Sequence, residues 1–134
     1  MYQLSLLPLF SDQQFHNLGL SYYGRKHEDL GRYKITKDAA DVGRFKTASL
    51  REVARTAPYM HNGLIPSLDE VIQMYDAGMA RPKPRKDQEN DPLFPTTDPL
   101  LQKLSLTKEE RAALKAFLLT LNSPAKREKM PELP

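Results

Sequence analysis

Tyr75, His61, His16 and Arg51 carry a phenol, two imidazoles and a guanidinium, side chains able to ligate or to form ion pairs. His61 stands near the end of the run Arg55-Thr56-Ala57-Pro58-Tyr59-Met60-His61-Asn62-Gly63, which crowds a proline, a histidine and soft or aromatic side chains into one short stretch. Asn62-Gly63 is a turn dipeptide able to aim the imidazole at a pocket. The alternative is a histidine hydrogen-bonded within its own loop. The run reads as the wall of a site, with Met60 as flexible filler beside Tyr59. His16, in Phe15-His16-Asn17, has the same two readings, whereas His27, between Lys26 and Glu28, reads as solvated. A zinc site built from the three histidines would have to draw on distant segments that carry no ligand spacing. No hydrolase elbow, phosphate loop or zinc-protease motif occurs, and no carboxylate pair is set apart by spacing.

The elements that must position these groups are marked by three Ser/Thr-x-x-Glu boxes, Ser49 with Glu52, Ser67 with Glu70 and Thr107 with Glu110. Each can satisfy orphan amides at a first helical turn, so helices are expected to begin near all three. The second carries Leu68, Val71, Ile72 and Tyr75 on one apolar stripe, with Gly78 as its C-terminal stop. On periodicity, Tyr75 simply completes that stripe. The third carries Ala113, Leu114, Phe117, Leu118 and Leu121 on one face and ends at Asn122 and Pro124. Residues 81–99 are proline-rich and charged and show no period, which predicts a long surface loop. The first third reads as short turns with at most weak strands, and no internal repeat is present. The fold class expected is mainly α, a loop-rich small helical domain.

A chain of 134 residues makes one domain with a modest core. Hydrophobic content of 40% and charged content of 28% are ordinary for a globular protein. A net charge of +3 is mildly basic, with cations and acids interspersed, and this argues against nucleic acid as partner. The chain has no cysteine, so disulfides and thiolate metal sites are excluded. No stretch approaches the roughly 20 apolar residues of a membrane span. Residues 1–7 lack the basic flank and the length expected of a signal peptide.

Phe45-Lys46-Thr47-Ala48-Ser49-Leu50-Arg51 and the 55–63 run together resemble the last domain of the bacterial di-haem cytochrome c peroxidases and their methylamine-utilization relatives, the MauG-like enzymes. The resemblance extends in matching order through Pro8-Leu9-Phe10-Ser11-Asp12, Leu30-Gly31-Arg32-Tyr33 and the terminal helix. Ala48 and Glu52 depart from the proline and asparagine usual there. It implies a cytochrome c-like fold over residues 1–134, as the C-terminal part of a longer di-haem protein. It also places the two thioether cysteines of a C-x-x-C-H haem-attachment motif at Met1 and Leu4 and the proximal histidine at Ser5, so the motif is missing and haem c cannot be held covalently.

What the resemblance implies for the site follows residue by residue. Tyr75 falls at the distal axial position of the haem iron, methionine in the peroxidases and tyrosine in the methylamine-utilization relatives, with Met74 and Met79 as alternatives if the register slips. A tyrosine oxygen is a harder ligand than a thioether and lowers the potential. His61, His16 and Met60 belong to the haem surroundings. Arg51 and Lys46 would pair with haem propionates. The backbone carbonyls of Thr56 and Pro58 would contribute to a calcium ion between two haems.

The function implied is an electron-transferring haem domain of a periplasmic di-haem oxidoreductase. It would be partnered by an N-terminal haem domain and by a small cytochrome or a protein electron donor, and it would do no peroxide chemistry alone. The alternative, from a different class, is a haem-free binding module whose former haem wall is an interface, including one between copies of the chain. Because such a domain uses its porphyrin as core, the cofactor-free chain is expected to be short of apolar interior.

Overall fold

The structure, a computed structural model, describes residues 9–124. The expectations for Met1, Leu4, Ser5 and Pro8 lie outside the described residues. Regular structure is sparse. Two two-residue strands, β1 (Phe15–His16) and β2 (Phe45–Lys46), pair antiparallel with Phe15 opposite Lys46 and His16 opposite Phe45. Three α-helices follow the order α1 (Tyr33–Thr36), α2 (Leu68–Asp76) and α3 (Lys108–Thr120), with short 3₁₀ turns at Ala39–Asp41, Val53–Arg55 and Lys86–Gln88.

Two of the three capping boxes start α-helices. The Ser67 hydroxyl accepts the Glu70 amide at the start of α2, and the Thr107–Glu110 box is complete in both directions at α3. The Gly78 stop is also present: Gly78 takes a φ of +86° and its amide bonds the Tyr75 carbonyl. The Ser49 box does not start an α-helix. Ser49 instead donates its hydroxyl to the Leu9 carbonyl at 2.6 Å, and Glu52 sits at φ +60° with its carboxylate accepting the Ser123 amide, so only the 3₁₀ turn Val53–Arg55 follows.

The helical core is small. Leu68 and Ile72 of α2 meet Leu118 of α3 and Leu121 just beyond it, with Phe10, Val53, Ala54 and Tyr59 packed around them. Burying an aliphatic side chain of this size stabilises by roughly 1.5–3 kcal/mol. Asp76 fastens the two helices at one end: its carboxylate accepts the Leu106 amide at 2.7 Å and faces Arg111, and its carbonyl accepts the Leu104 amide. That junction holds the helix bearing Tyr75 in a fixed direction.

Asn17, buried to 2% exposure, organises the other half. Its side-chain amide donates to the Thr96 carbonyl at 2.9 Å, its side-chain oxygen accepts the Gly19 amide and its main-chain carbonyl accepts the Asp98 amide. Gly19 lies so close to Ala80 that a Cβ would sit 2.0 Å from the Ala80 oxygen, which only glycine allows. Most of residues 81–99 lie on the surface, but their far end is pinned to Asn17 through these bonds, and their middle to Tyr23, whose hydroxyl donates to Asp91 at 2.6 Å.

Candidate functional site

The two local segments singled out in the sequence reach one place. His61 stands at the tip of a turn closed by the Tyr59 amide on the Ile65 carbonyl at 2.7 Å, with Met60 in the left-handed region at φ +67°. The Asn62 side chain accepts the Leu64 amide within the same turn. The imidazole lies flat against Phe45 of β2, with ring centroids 3.7 Å apart and planes 12° from parallel. It therefore packs as an aromatic ring rather than serving as a loop hydrogen-bonding group. Desolvation lowers its pKa, so the ring is neutral near pH 7.

Across from this stack, Val71 and Tyr75 of α2 complete a cavity of about 620 Å3. That volume lies within the roughly 300–1,000 Å3 typical of small-molecule and cofactor sites. The walls are mostly apolar: Leu18, Leu20, Leu50, Val53 and Leu101 contribute alongside the aromatic rings. Tyr75 is 36% exposed, and its hydroxyl has no hydrogen-bond partner among the described residues. Desolvation alone raises its pKa. The phenol thus stands on an apolar wall that is open in part to solvent.

His16, Lys46, Thr56, Pro58, Met60, His61 and Tyr75 all line this one cavity. Arg51 does not line it. Its guanidinium lies 5.4 Å from the centre of the Phe10 ring, which in turn meets Phe117 of α3 edge-on at 6.0 Å. Met74 and Met79 are likewise absent from the walls; Met79 is buried, with its amide on the Met74 carbonyl. His27 is exposed and also off the cavity. Among the described residues no cluster of three or more His, Cys, Asp or Glu could hold a metal ion.

His16 lines the cavity with both its ring nitrogens engaged. Nδ1 meets Asp98 at 2.7 Å and Nε2 meets Asp12 at 2.8 Å. The Asp98 bond is the chief cause that raises the histidine's pKa. Neither carboxylate was apparent from spacing as a partner: Asp98 lies 82 residues from His16, and Asp12 sits at i−4 outside any helix. Phe45 was noted only as part of a motif, and its stack on His61 gives it a place in the wall.

Fit to a planar apolar macrocycle can be judged on these walls. Volume, apolar lining and the unpartnered Tyr75 phenol match such a group, with Lys46 as a cation on the lining. Thioether attachment does not fit, because the 134 residues contain no cysteine. No helix of the described residues is long and apolar enough to cross a membrane.

No family model matches the chain. It is 35% identical over 142 residues to cytochrome-c peroxidase IdrP1 of Denitromonas iodatirespirans, an alignment that covers 86% of this chain and 35% of that protein. It is 33% identical over 127 residues to the methylamine utilization protein MauG of Methylorubrum extorquens, covering 93% of this chain and 31% of the relative. Its fold superposes with a TM-score of 0.66, at 36% identity, on the crystal structure of a MauG-like protein associated with microbial copper homeostasis, covering 84% of this chain and 36% of that one. The chain thus spans about a third of the length of these relatives. With similarity running over most of its length and the same backbone course in a solved MauG-like protein, the chain belongs to the di-haem family of the bacterial cytochrome c peroxidases and MauG.

Proposed function

We propose that this chain is the electron-relaying haem domain of a periplasmic di-haem peroxidase or MauG-like oxidoreductase, with a cytochrome c-like fold. The observation that carries the proposal is that Tyr75 and His61, from separate segments, face one apolar cavity of cofactor size. In this reading Tyr75 would hold the haem through its phenol oxygen, the Phe45–His61 stack would be the flat apolar wall and Lys46 would neutralise a carboxylate at the edge. Haem would supply one-electron chemistry there. The chain's own residues exclude water from one side of the hollow, orient a planar guest against Phe45 and His61, and hold a protonated phenol on the facing helix. The carbonyls of Thr56 and Pro58 would face a neighbouring domain, which supplies the remaining calcium ligands. That domain would be the N-terminal haem domain of the same protein, and the electron donor would be a small cytochrome or a protein substrate.

The test is a titration of the purified 134-residue chain with hemin, followed by Soret absorbance and by thermal unfolding. We expect saturation at one hemin per chain, a rise in melting temperature, and no peroxide turnover above that of free hemin. Non-saturable binding with an unchanged melt would overturn the assignment of the cavity. Specific peroxide turnover would overturn the relay role while leaving the cavity assignment in place.

A further inference from the structure

The geometry points to a proton-controlled clasp at the cavity edge: doubly protonated His16 grips Asp12 and Asp98 together, and loss of its proton lets Asp12 go. The argument rests on donors and acceptors. A neutral imidazole carries one N–H, whereas the imidazolium carries two. His16 meets a carboxylate oxygen at each ring nitrogen, at 2.7 Å and 2.8 Å, and both are lone-pair acceptors. Two such contacts coexist only when the ring is charged, and then each is a charge-assisted bond.

The two carboxylates are not equivalent. The Asp98 side chain is 15% exposed and is held from several directions. It accepts the Leu100 amide at 2.9 Å, its carbonyl accepts the Leu101 amide, and its own amide bonds Asn17. The Asp12 side chain is 40% exposed and is held by the Gln14 amide and by His16. When one bond must be given up, the neutral ring keeps its remaining N–H on the less exposed Asp98 and the better-solvated Asp12 departs. The surrounding charges are few: Arg44 bears on Asp98, and Lys46 lies on the paired strand and lines the same cavity. None of them supplies a second cation between the ring and either acid. Because Asp12, His16 and Asp98 all line the cavity, the clasp changes the charge at its edge by one unit and frees a carboxylate there.

The sign of the pH dependence follows from the shifts. The His16 pKa is raised above its ordinary value of 6.5, chiefly by the Asp98 bond, so the clasp holds below that value and is lost as pH climbs through the raised one. Asp12 and Asp98 are both lowered from 3.8; partial burial opposes this and is outweighed by their hydrogen bonds, so on the acid side the clasp survives until they take up protons. It is closed between those limits.

Ring nitrogen and amide NMR of the whole chain tests this directly. Under slightly acid conditions His16 should show two ring N–H signals, and its midpoint should lie above 6.5. Amides of Gln13 and Gln14 should move with the same midpoint, while those of Leu100 and Leu101 stay nearly fixed. Asp98→Asn should lower the His16 midpoint by about one pH unit or more, and His16→Gln should abolish the shared transition at Gln13 and Gln14. A His16 that is singly protonated below pH 6.5, or Gln13 and Gln14 amides that ignore its titration in the native chain, would overturn the clasp. The native-chain titration decides the matter even if a variant folds poorly, and its outcome is independent of whether hemin binds.

Discussion

Replacing Tyr75 with phenylalanine separates a ligating tyrosine from one that merely fills a helical stripe. The hydroxyl has no partner among the described residues and its residue is 36% exposed, so its removal strands nothing and should change the stability of the cofactor-free chain by no more than about 0.5 kcal/mol. For hemin the consequence is different. Desolvation raises the Tyr75 pKa, so the phenol is protonated at neutral pH and must shed that proton to bind a metal ion. One proton released per hemin bound makes the native chain's affinity rise about tenfold per pH unit, equal to about 1.4 kcal/mol, over the range below that pKa. Tyr75→Phe should bind hemin more weakly and lose that slope. Hemin titrations at a series of pH values, paired with urea unfolding of the empty proteins, read both quantities. A phenylalanine variant that keeps the native affinity and the native slope would refute the role of Tyr75, and the residue would revert to a member of the apolar stripe.

Two further expectations concern what holds the cavity's frame. Ile72→Ala removes the centre of the α2–α3 contact at 4% exposure and should cost about 3 kcal/mol, seen as a drop in melting temperature of roughly 10 °C; a drop of under about 3 °C would mean that the two helices are not packed through this residue. Gly19→Ala places a methyl 2.0 Å from the Ala80 carbonyl oxygen at φ +75° and should cost more than about 2 kcal/mol, whereas Gly63→Ala, at 3.2 Å from the Pro58 ring, should cost about 1 kcal/mol by urea unfolding.

The parts of this molecule that were legible in the sequence are those set by short-range chemistry. Ser67–Glu70 and Thr107–Glu110 each precede a clean apolar stripe, so box and period agree and α2 and α3 form where both say. Ser49–Glu52 has the same spelling and a different outcome, because its hydroxyl and carboxylate are spent on Leu9 and Ser123, partners that no local pattern shows. The site divides the same way. Tyr75 on a helix face and His61 beside Asn62-Gly63 are local signals, and both residues line the cavity. Arg51 lies over Phe10, a ring forty-one positions earlier in the chain that only folding brings beneath it. His16 also lines the cavity, but its partner Asp98, 82 residues away, is one that no local pattern shows.

The hollow is walled by four stretches of chain, near residues 12–20, 45–61, 71–75 and 98–101, which lie far apart along the backbone. A guest seated there touches all four at once and so works as a keystone. Its affinity and the chain's resistance to unfolding become two readings of one quantity: at a free concentration about a hundred times its dissociation constant, a guest that binds only the folded form adds about 2.7 kcal/mol. For an interior built on so few aliphatic side chains, that increment rivals the contribution of any single residue in it.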